Sequence, residues 1–299
     1  MPLVQLQPAS PRLPEWLRAS RTDHGAVHEL KTELRHLNLH TVCESARCPN
    51  LHECFARGAA TFMILGNLCT RGCGFCSVPK SRHPGLLDPE EPANVARMAL
   101  AMRLRYVVIT SVNRDDLNDG GSEHFARTVS EVRRALPDAR VEVLTPDFCG
   151  NFDAVARVLD AAPDVFNHNV ETVPRLYRQV RPQADFAQSL AVLRFAKQRF
   201  AKSCSPEAVT KSGLMVGLGE SADEVKALLR DLRAADVDIA TIGQYLQPTR
   251  RHLPVAEYLT PARFAEYREF GLEQGFRGVF SGPLVRSSYM AEMVNKQAL

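Results

Sequence analysis

From residue 61 to about residue 245, short apolar, β-branched runs alternate with longer stretches of helical spacing. The runs TFMILG (61–66), RYVVIT (105–110), RVEVLT (140–145), VFNHNV (165–170), SGLMVG (212–217) and IATIGQY (239–245) read as six strands. Between them, apolar residues recur three and four apart, as on one face of a helix: Val95, Met98, Ala99 and Met102; Phe125, Val129, Val132 and Leu136; Val225, Leu228, Leu229 and Leu232. Ser221 with Glu224 three residues later predicts a capping box that starts the last of these helices. Strand and helix in strict alternation predict an α/β fold with a parallel sheet. Six units predict an incomplete (β/α)6 TIM-like barrel rather than a closed eightfold one. Residues 1–60 then read as an N-terminal extension, 61–275 as the partial barrel and 276–299 as a C-terminal segment.

A parallel barrel carries its site on the loops beyond the C-terminal strand ends. The polar clusters fall there. A cysteine loop follows the first strand and TSVNRDD (110–116) follows the second. Asn167, His168, Asn169 and Glu171 end the fourth, and GLGE (217–220) follows the fifth. Singly, each has an ordinary explanation: turn residues, tight-turn glycines at Gly217 and Gly219, a satisfied core histidine at His168. Together they predict a cofactor site.

Composition narrows the class. The chain has 299 residues, 45% of them hydrophobic, which is ample for a sizeable core. A net charge of +3, from 37 basic against 34 acidic residues, is too balanced to point to nucleic acid or a membrane surface. No apolar run approaches membrane-spanning length and the start lacks a secretory core, so a cytoplasmic protein with no membrane partner is expected. Four prolines in the first 14 residues predict an extended arm. Eight cysteines in such a chain imply reduced thiols and metal ligation.

Six of those cysteines form two sets. Cys69, Cys73 and Cys76 lie in CTRGCGFC (69–76), with Phe75 just before the last thiol. Three thiolates on one tight loop do not suit a disulfide framework, because one sulfur is left over. Zinc normally closes with a fourth protein ligand, whereas a 4Fe-4S cluster on three cysteines keeps one iron open for chemistry. Upstream, CESARCPNLHEC (43–54) supplies Cys43, Cys48 and Cys54. Either a second cluster or a zinc ion with His52 or His40 as fourth ligand satisfies that spacing. Cys149 and Cys204 stand alone and read as small incidental residues.

The CTRGCGFC loop resembles that of the radical S-adenosylmethionine superfamily. Both cysteine sets, with LHTVCESARCPN (39–50), TFMILGNLCTRGCGFCSV (61–78), TSVNRDDLNDGG (110–121), FNHNVETVPRLYRQVRP (166–182), KSGLMVGLGE (211–220), IGQYLQP (242–248) and GPLVRSSY (282–289), closely resemble the lipoyl synthase family. The resemblance implies that Cys69, Cys73 and Cys76 hold the 4Fe-4S cluster that binds S-adenosylmethionine. It implies that Cys43, Cys48 and Cys54 hold an auxiliary 4Fe-4S cluster whose fourth ligand is Ser288. Nothing local separates Ser288 from Ser287. The implied reaction is radical insertion of two sulfurs, at carbons 6 and 8 of a protein-bound octanoyl chain, with the auxiliary cluster as sulfur source. Such a C–H bond offers nothing to an acid or base, so the cofactors carry the chemistry.

Asn113, Asn169, Glu171, Arg178 and Gly217 are assigned to the S-adenosylmethionine shell. Implied partners are octanoylated lipoyl-carrier domains, such as 2-oxoacid dehydrogenase E2 subunits and the glycine cleavage H protein, and an electron donor such as flavodoxin or ferredoxin. Arg12, Arg18, Arg21, Lys31 and Arg35 read as a solvated face, with attraction of an acidic carrier as the alternative. The chain departs from the family at Phe55, at Asn67 and along residues 79–92, none of them a proposed ligand. Two rivals stand: another radical S-adenosylmethionine enzyme with an auxiliary cluster, such as a biotin-synthase-like sulfur inserter or a peptide modifier, and a non-enzymatic metal-binding sensor or nucleic-acid module. Peptide modifiers of the first kind usually carry extra cysteines in a C-terminal extension, and here none follows Cys204. The second calls for a basic face with interleaved aromatics, and 7% aromatic residues give it little support.

Overall fold

A computed structural model describes residues 13–17, 24–56, 59–202 and 207–288. The first twelve residues of the expected arm, Arg12, Arg18, Arg21 and Cys204 lie outside these. In chain order the elements are α1 (His24–His36), β1 (His40–Thr41), α2 (Val42–Ser45), α3 (Leu51–Ala56), β2 (Thr61–Ile64), α4 (Glu91–Ala101), β3 (Tyr106–Ser111), α5 (Ser122–Ala135), β4 (Arg140–Leu144), α6 (Phe152–Asp160), β5 (Val165–Asn167), α7 (Tyr177–Val180), α8 (Phe186–Lys202), β6 (Val209–Val216), α9 (Ala222–Ala234), β7 (Ile239–Gln244), α10 (Pro261–Glu273) and β8 (Gly278–Gly282). The eight strands form one sheet in sequence order, parallel from β2 to β8, with the two-residue β1 antiparallel at the edge. β1 and β8 pair only inward among the described residues, so the barrel is incomplete.

All six expected strands are present. The sequence reading did not anticipate β1 and β8. β1 is only two residues long, and β8, GVFSG, is glycine or serine at three of its five positions, so neither shows an apolar run. Helices cover the outer face of the sheet, so β2 and β7 are buried at every position and read as continuous apolar runs. The predicted stripes face inward: Phe125, Val129 and Val132 on α5, and Val225, Leu228, Leu229 and Leu232 on α9, are fully buried. Each such side chain contributes roughly 1.5–3 kcal/mol on removal from water. The capping box is closed: Ser221 Oγ accepts from the Glu224 N–H at 3.2 Å and Glu224 Oε2 accepts from the Ser221 N–H at 2.8 Å.

A polar network centred on Glu142 sits inside the barrel. Glu142 on β4 accepts from Lys211 Nζ at 3.0 and 3.1 Å, from Asn167 Nδ2 at 2.9 Å and from Tyr106 Oη at 2.6 Å. A carboxylate buried this deeply is tolerable only because its charge and lone pairs are met. The network ties β3, β4, β5 and β6 together beneath the functional end.

Candidate iron-sulfur and cofactor site

The chain leaves β2 through Leu65 and Gly66, both left-handed (φ 69° and 87°). Buried Glu91 holds this turn: its Oε2 accepts from the Leu65 N–H at 2.8 Å and lies 2.7 Å from His124 Nε2. Gly121, at the start of α5, must lack a side chain, since a Cβ there would fall 2.5 Å from Leu65 Cδ1. The turn releases the chain into the Cys69–Cys76 loop, which the neighbouring strand ends clamp. Arg71 is buried and pairs with Asp115 at 2.8 Å, after β3, and with Asp147 at 2.7 Å, after β4. The guanidinium holds the Asp147 carboxyl down at about 2, against the opposing effect of burial. Asn113 donates its N–H to Cys69 Sγ at 3.3 Å. Gly74 donates to the Val180 carbonyl at 2.9 Å, and Gly72 to Gln183 Oε1 at 2.7 Å.

Cys43 lies on α2, whose N-cap Thr41 accepts from the Glu44 N–H at 3.3 Å. Cys48 follows in a turn closed by its N–H to the Cys43 carbonyl at 3.0 Å, and Cys54 lies on α3. Ser77 Oγ donates to the Ser45 carbonyl at 2.6 Å, joining the two cysteine segments. The C-terminal segment returns to the same place. Asn50 Nδ2 donates to the Leu284 carbonyl at 2.8 Å, and the Gln244 N–H to the Pro283 carbonyl at 3.3 Å. Gly243 makes that approach possible, because a Cβ there would meet the Val285 carbonyl oxygen at 2.1 Å.

One cavity of about 540 Å³ at the C-terminal strand ends is lined by all six of these cysteines and by Asn113, Asn169, Glu171, Arg181, Arg286, Ser287 and Ser288. Buried polar atoms of Ser111, Asn113, Thr145, Asn169 and Arg181, all on its lining, have no hydrogen-bond partner among the described residues. A cluster of buried groups left unmet in this way is the mark of a site that takes a polar ligand. Burial pushes the Cys43 thiol up to about 11 and the Cys76 thiol up to about 12, and raises Cys48 and Cys73 as well. Such thiols become thiolates when bound iron supplies the compensating charge. Donors of this kind around a cavity of this size fit iron-sulfur clusters and a nucleoside-sized cofactor.

Of the expected shell, Asn113, Asn169 and Glu171 are brought together. Asn169 Nδ2 donates to Glu171 Oε1 at 3.1 Å and to Ser287 Oγ at 3.3 Å. Glu171 takes φ 65°, a left-handed position uncommon for a residue with a side chain, and burial raises its carboxyl. Arg178 is exposed on α7 and is not on the lining. Arg181, three residues on, is there instead, because the chain leaves the helix at that residue (φ −136°, ψ 68°). Its Nη1 donates to the Asn169 carbonyl at 2.8 Å. Gly217 is left-handed (φ 98°) and packed against Gln244 and Glu257, off the lining. His168 is a satisfied core histidine between the Thr145 carbonyl (2.9 Å) and Ser189 Oγ (3.1 Å), and burial lowers it to about 4. Cys149 is exposed beside Asp115, 3.2 Å from its Oδ1. Lys31 lies 3.5 Å from Glu44.

Sequence reasoning missed Arg181, Arg286 and the Arg71 clamp. Arg286 is half-buried beside Cys48 and Glu171, and burial lowers its guanidinium. The RQVRP run offered two arginines, and only the end of α7 decides which one turns inward.

Comparison with known proteins agrees with this arrangement. Residues 63–232 match the radical SAM superfamily, and residues 3–48 the N-terminal domain of lipoyl synthase of the radical SAM family. Lipoyl synthase from Rubrobacter xylanophilus is 56% identical over 95% of this chain and 87% of its own length. That from Caldanaerobacter subterraneus is 54% identical over 94% and 96%. Among solved structures, methylornithine synthase is similar in fold, with TM-score 0.55, 14% identity, and 86% of this chain and 72% of that chain covered. The chain belongs to the lipoyl synthase family within the radical SAM superfamily.

Proposed function

We propose that this chain is a lipoyl synthase, a sulfurtransferase that inserts sulfur at carbons 6 and 8 of an octanoyl-lysine on a lipoyl-carrier domain. One observation carries the reading: both cysteine sets and the RSSY serines line a single cavity. Cys69, Cys73 and Cys76 hold the cluster that meets S-adenosylmethionine, and Cys43, Cys48, Cys54 and Ser288 hold the auxiliary cluster. The assignment of Ser288 is supported by its neighbour, since the Ser287 hydroxyl is engaged by Asn169. When bound, these groups supply a radical able to take hydrogen from an unactivated carbon, and the sulfur that replaces it.

The residues of the chain bind, orient and exclude. Asn113, Asn169, Glu171 and Arg181 offer polar atoms to the cofactor. Arg286 lies between Glu171 and Cys48, where its positive charge offsets the negative charge of thiolate-held clusters. Tyr106, Val108, Leu144 and Leu214 add body to the cavity wall, which favours an alkyl chain over water. Octanoylated E2 subunits or the glycine cleavage H protein as carriers, and a flavodoxin or ferredoxin as donor, belong to the same reading. Among the described residues no helix is long and apolar enough to cross a membrane.

The test is anaerobic. Iron and sulfide are counted per chain, then S-adenosylmethionine, reductant and an octanoyl-lysine peptide are added and products followed by mass. The expected products are 5'-deoxyadenosine with thiolated and then lipoylated peptide. Deoxyadenosine with no sulfur on the peptide would reject the substrate. Cys73→Ala should abolish cleavage of S-adenosylmethionine, whereas Cys48→Ala should keep cleavage and lose sulfur insertion.

A further inference from the structure

Five cationic residues lie on the segments that border the Cys69–Cys76 loop. Lys80 Nζ donates to the Cys73 carbonyl at 3.2 Å, and Arg82 follows two residues on. Arg178 lies on α7, whose Val180 carbonyl accepts from Gly74. Arg250 and Arg251 sit in a turn fastened to the same loop, where His252 Nε2 is 3.1 Å from the Cys76 carbonyl and the Leu253 N–H donates to the Gly74 carbonyl at 3.1 Å. All five are exposed, and none lines the cavity. Among the described residues none is in an ion pair, and the nearby carboxylates Asp115 and Asp116 are committed to Arg71 and Arg114. A local excess of positive charge without carboxylate partners attracts a partner of opposite sign.

We infer that this rim is the docking surface of an acidic one-electron donor protein. The inference rests on the radical reading of the site. Position favours a donor over the lipoyl-carrier. A carrier must deliver an acyl-lysine arm into the cavity, and none of the five cations is on its lining. A donor delivers no atom and needs only to bring its redox centre against the loop behind which the three thiolates lie. Redox encounters are small, transient and steered by charge, which suits an exposed basic rim without an apolar core. In each encounter the donor is oxidised by one electron, which passes to the centre held by Cys69, Cys73 and Cys76.

The test uses the full chain with its clusters reconstituted, and reduced flavodoxin as the probe. Its oxidation is followed optically at low and high salt, beside the rate of 5'-deoxyadenosine formation driven by saturating dithionite. The variants are Arg82→Glu alone and Arg250→Glu with Arg251→Glu, and their folding is checked by far-UV circular dichroism. Flavodoxin oxidation should slow by about tenfold or more and lose its salt dependence, while the dithionite-driven rate stays unchanged. The matched Arg250→Lys with Arg251→Lys variant should keep the fast, salt-sensitive rate. Unchanged flavodoxin kinetics in the Glu variants would overturn the inference. So would a raised KM for octanoylated carrier with normal flavodoxin kinetics, which would give the surface to the carrier instead. Failure of the unsubstituted protein to form deoxyadenosine with dithionite would remove the radical reading itself, a separate result.

Discussion

The two cysteine sets share one cavity but are held by different means. The Cys69–Cys76 loop grows from β2, the first of the parallel strands, and is clamped by groups beyond the ends of the next strands. Arg71 bridges Asp115 and Asp147, Asn113 meets Cys69, and Val180 and Gln183 hold the loop glycines. Cys43 and Cys54 sit on two short helices at the sheet edge with Cys48 in the turn between them, and the segment that completes their surroundings arrives from the other end of the chain. One site is built into the scaffold and the other is assembled from chain ends. On the proposed assignment, in which the auxiliary cluster gives up its sulfur, the group that persists has the rigid cradle and the expendable one the looser frame.

The largest effect should follow from breaking the clamp. Arg71→Ala leaves Asp147 fully buried and unpaired, which costs about 3–5 kcal/mol. Chemical denaturation should show that loss, and reconstitution should load the Cys69–Cys76 set poorly while the auxiliary set still takes iron, as read by iron count and electron paramagnetic resonance. Equal loss of both clusters would erase the distinction between the two frames.

Acid should act on the same side, with a somewhat smaller effect. His168 titrates at about 4 in the fold against an ordinary 6.5, so below pH 6.5 the unfolded chain takes up a proton that the native state refuses. Stability therefore falls as pH drops from 6.5 to 4, by about 3 kcal/mol from this group. Asp147, depressed to about 2 from 3.8, adds stability above pH 3.8 that is lost as pH falls toward 2. Urea midpoints measured from pH 7 to 4 should show the first slope, and His168→Gln should flatten it. An unchanged slope in that variant would place the acid sensitivity elsewhere.

The same contrast explains what the sequence made legible. Strands β2 to β7 and the stripes of α4, α5 and α9 are written locally, as runs and periods, and so is the capping box at Ser221. The thiol spacings are local too. The clamp on Arg71 is not, because its partners lie 44 and 76 residues away and nothing near Arg71 marks it for burial. Arg178 and Arg181 differ only in where a single helical turn ends. β8 carries glycine and serine at three of its five positions, and that composition hides the strand from any reading of apolar pattern. Contacts made across the whole length of the chain are the ones that residue spacing cannot report.

The smallest expected effect concerns the looser frame. Asn50 is buried, and its side chain is the hydrogen bond that ties the N-terminal cysteine segment to the Leu284 carbonyl. Asn50→Ala leaves that carbonyl without its donor, a cost of about 1–3 kcal/mol. The loss should fall on the returning segment rather than on the barrel, because β8 keeps its ladder to β7 and the Gln244 N–H still meets Pro283. Trypsin should then cut after Arg286 roughly tenfold faster, in proportion to the population of the opened segment, with little change in the unfolding midpoint. Arg71→Ala should leave that cleavage rate alone, and the two substitutions should act additively if the frames are independent. Faster cleavage in both variants would mean that the clamp and the returning segment open as one unit.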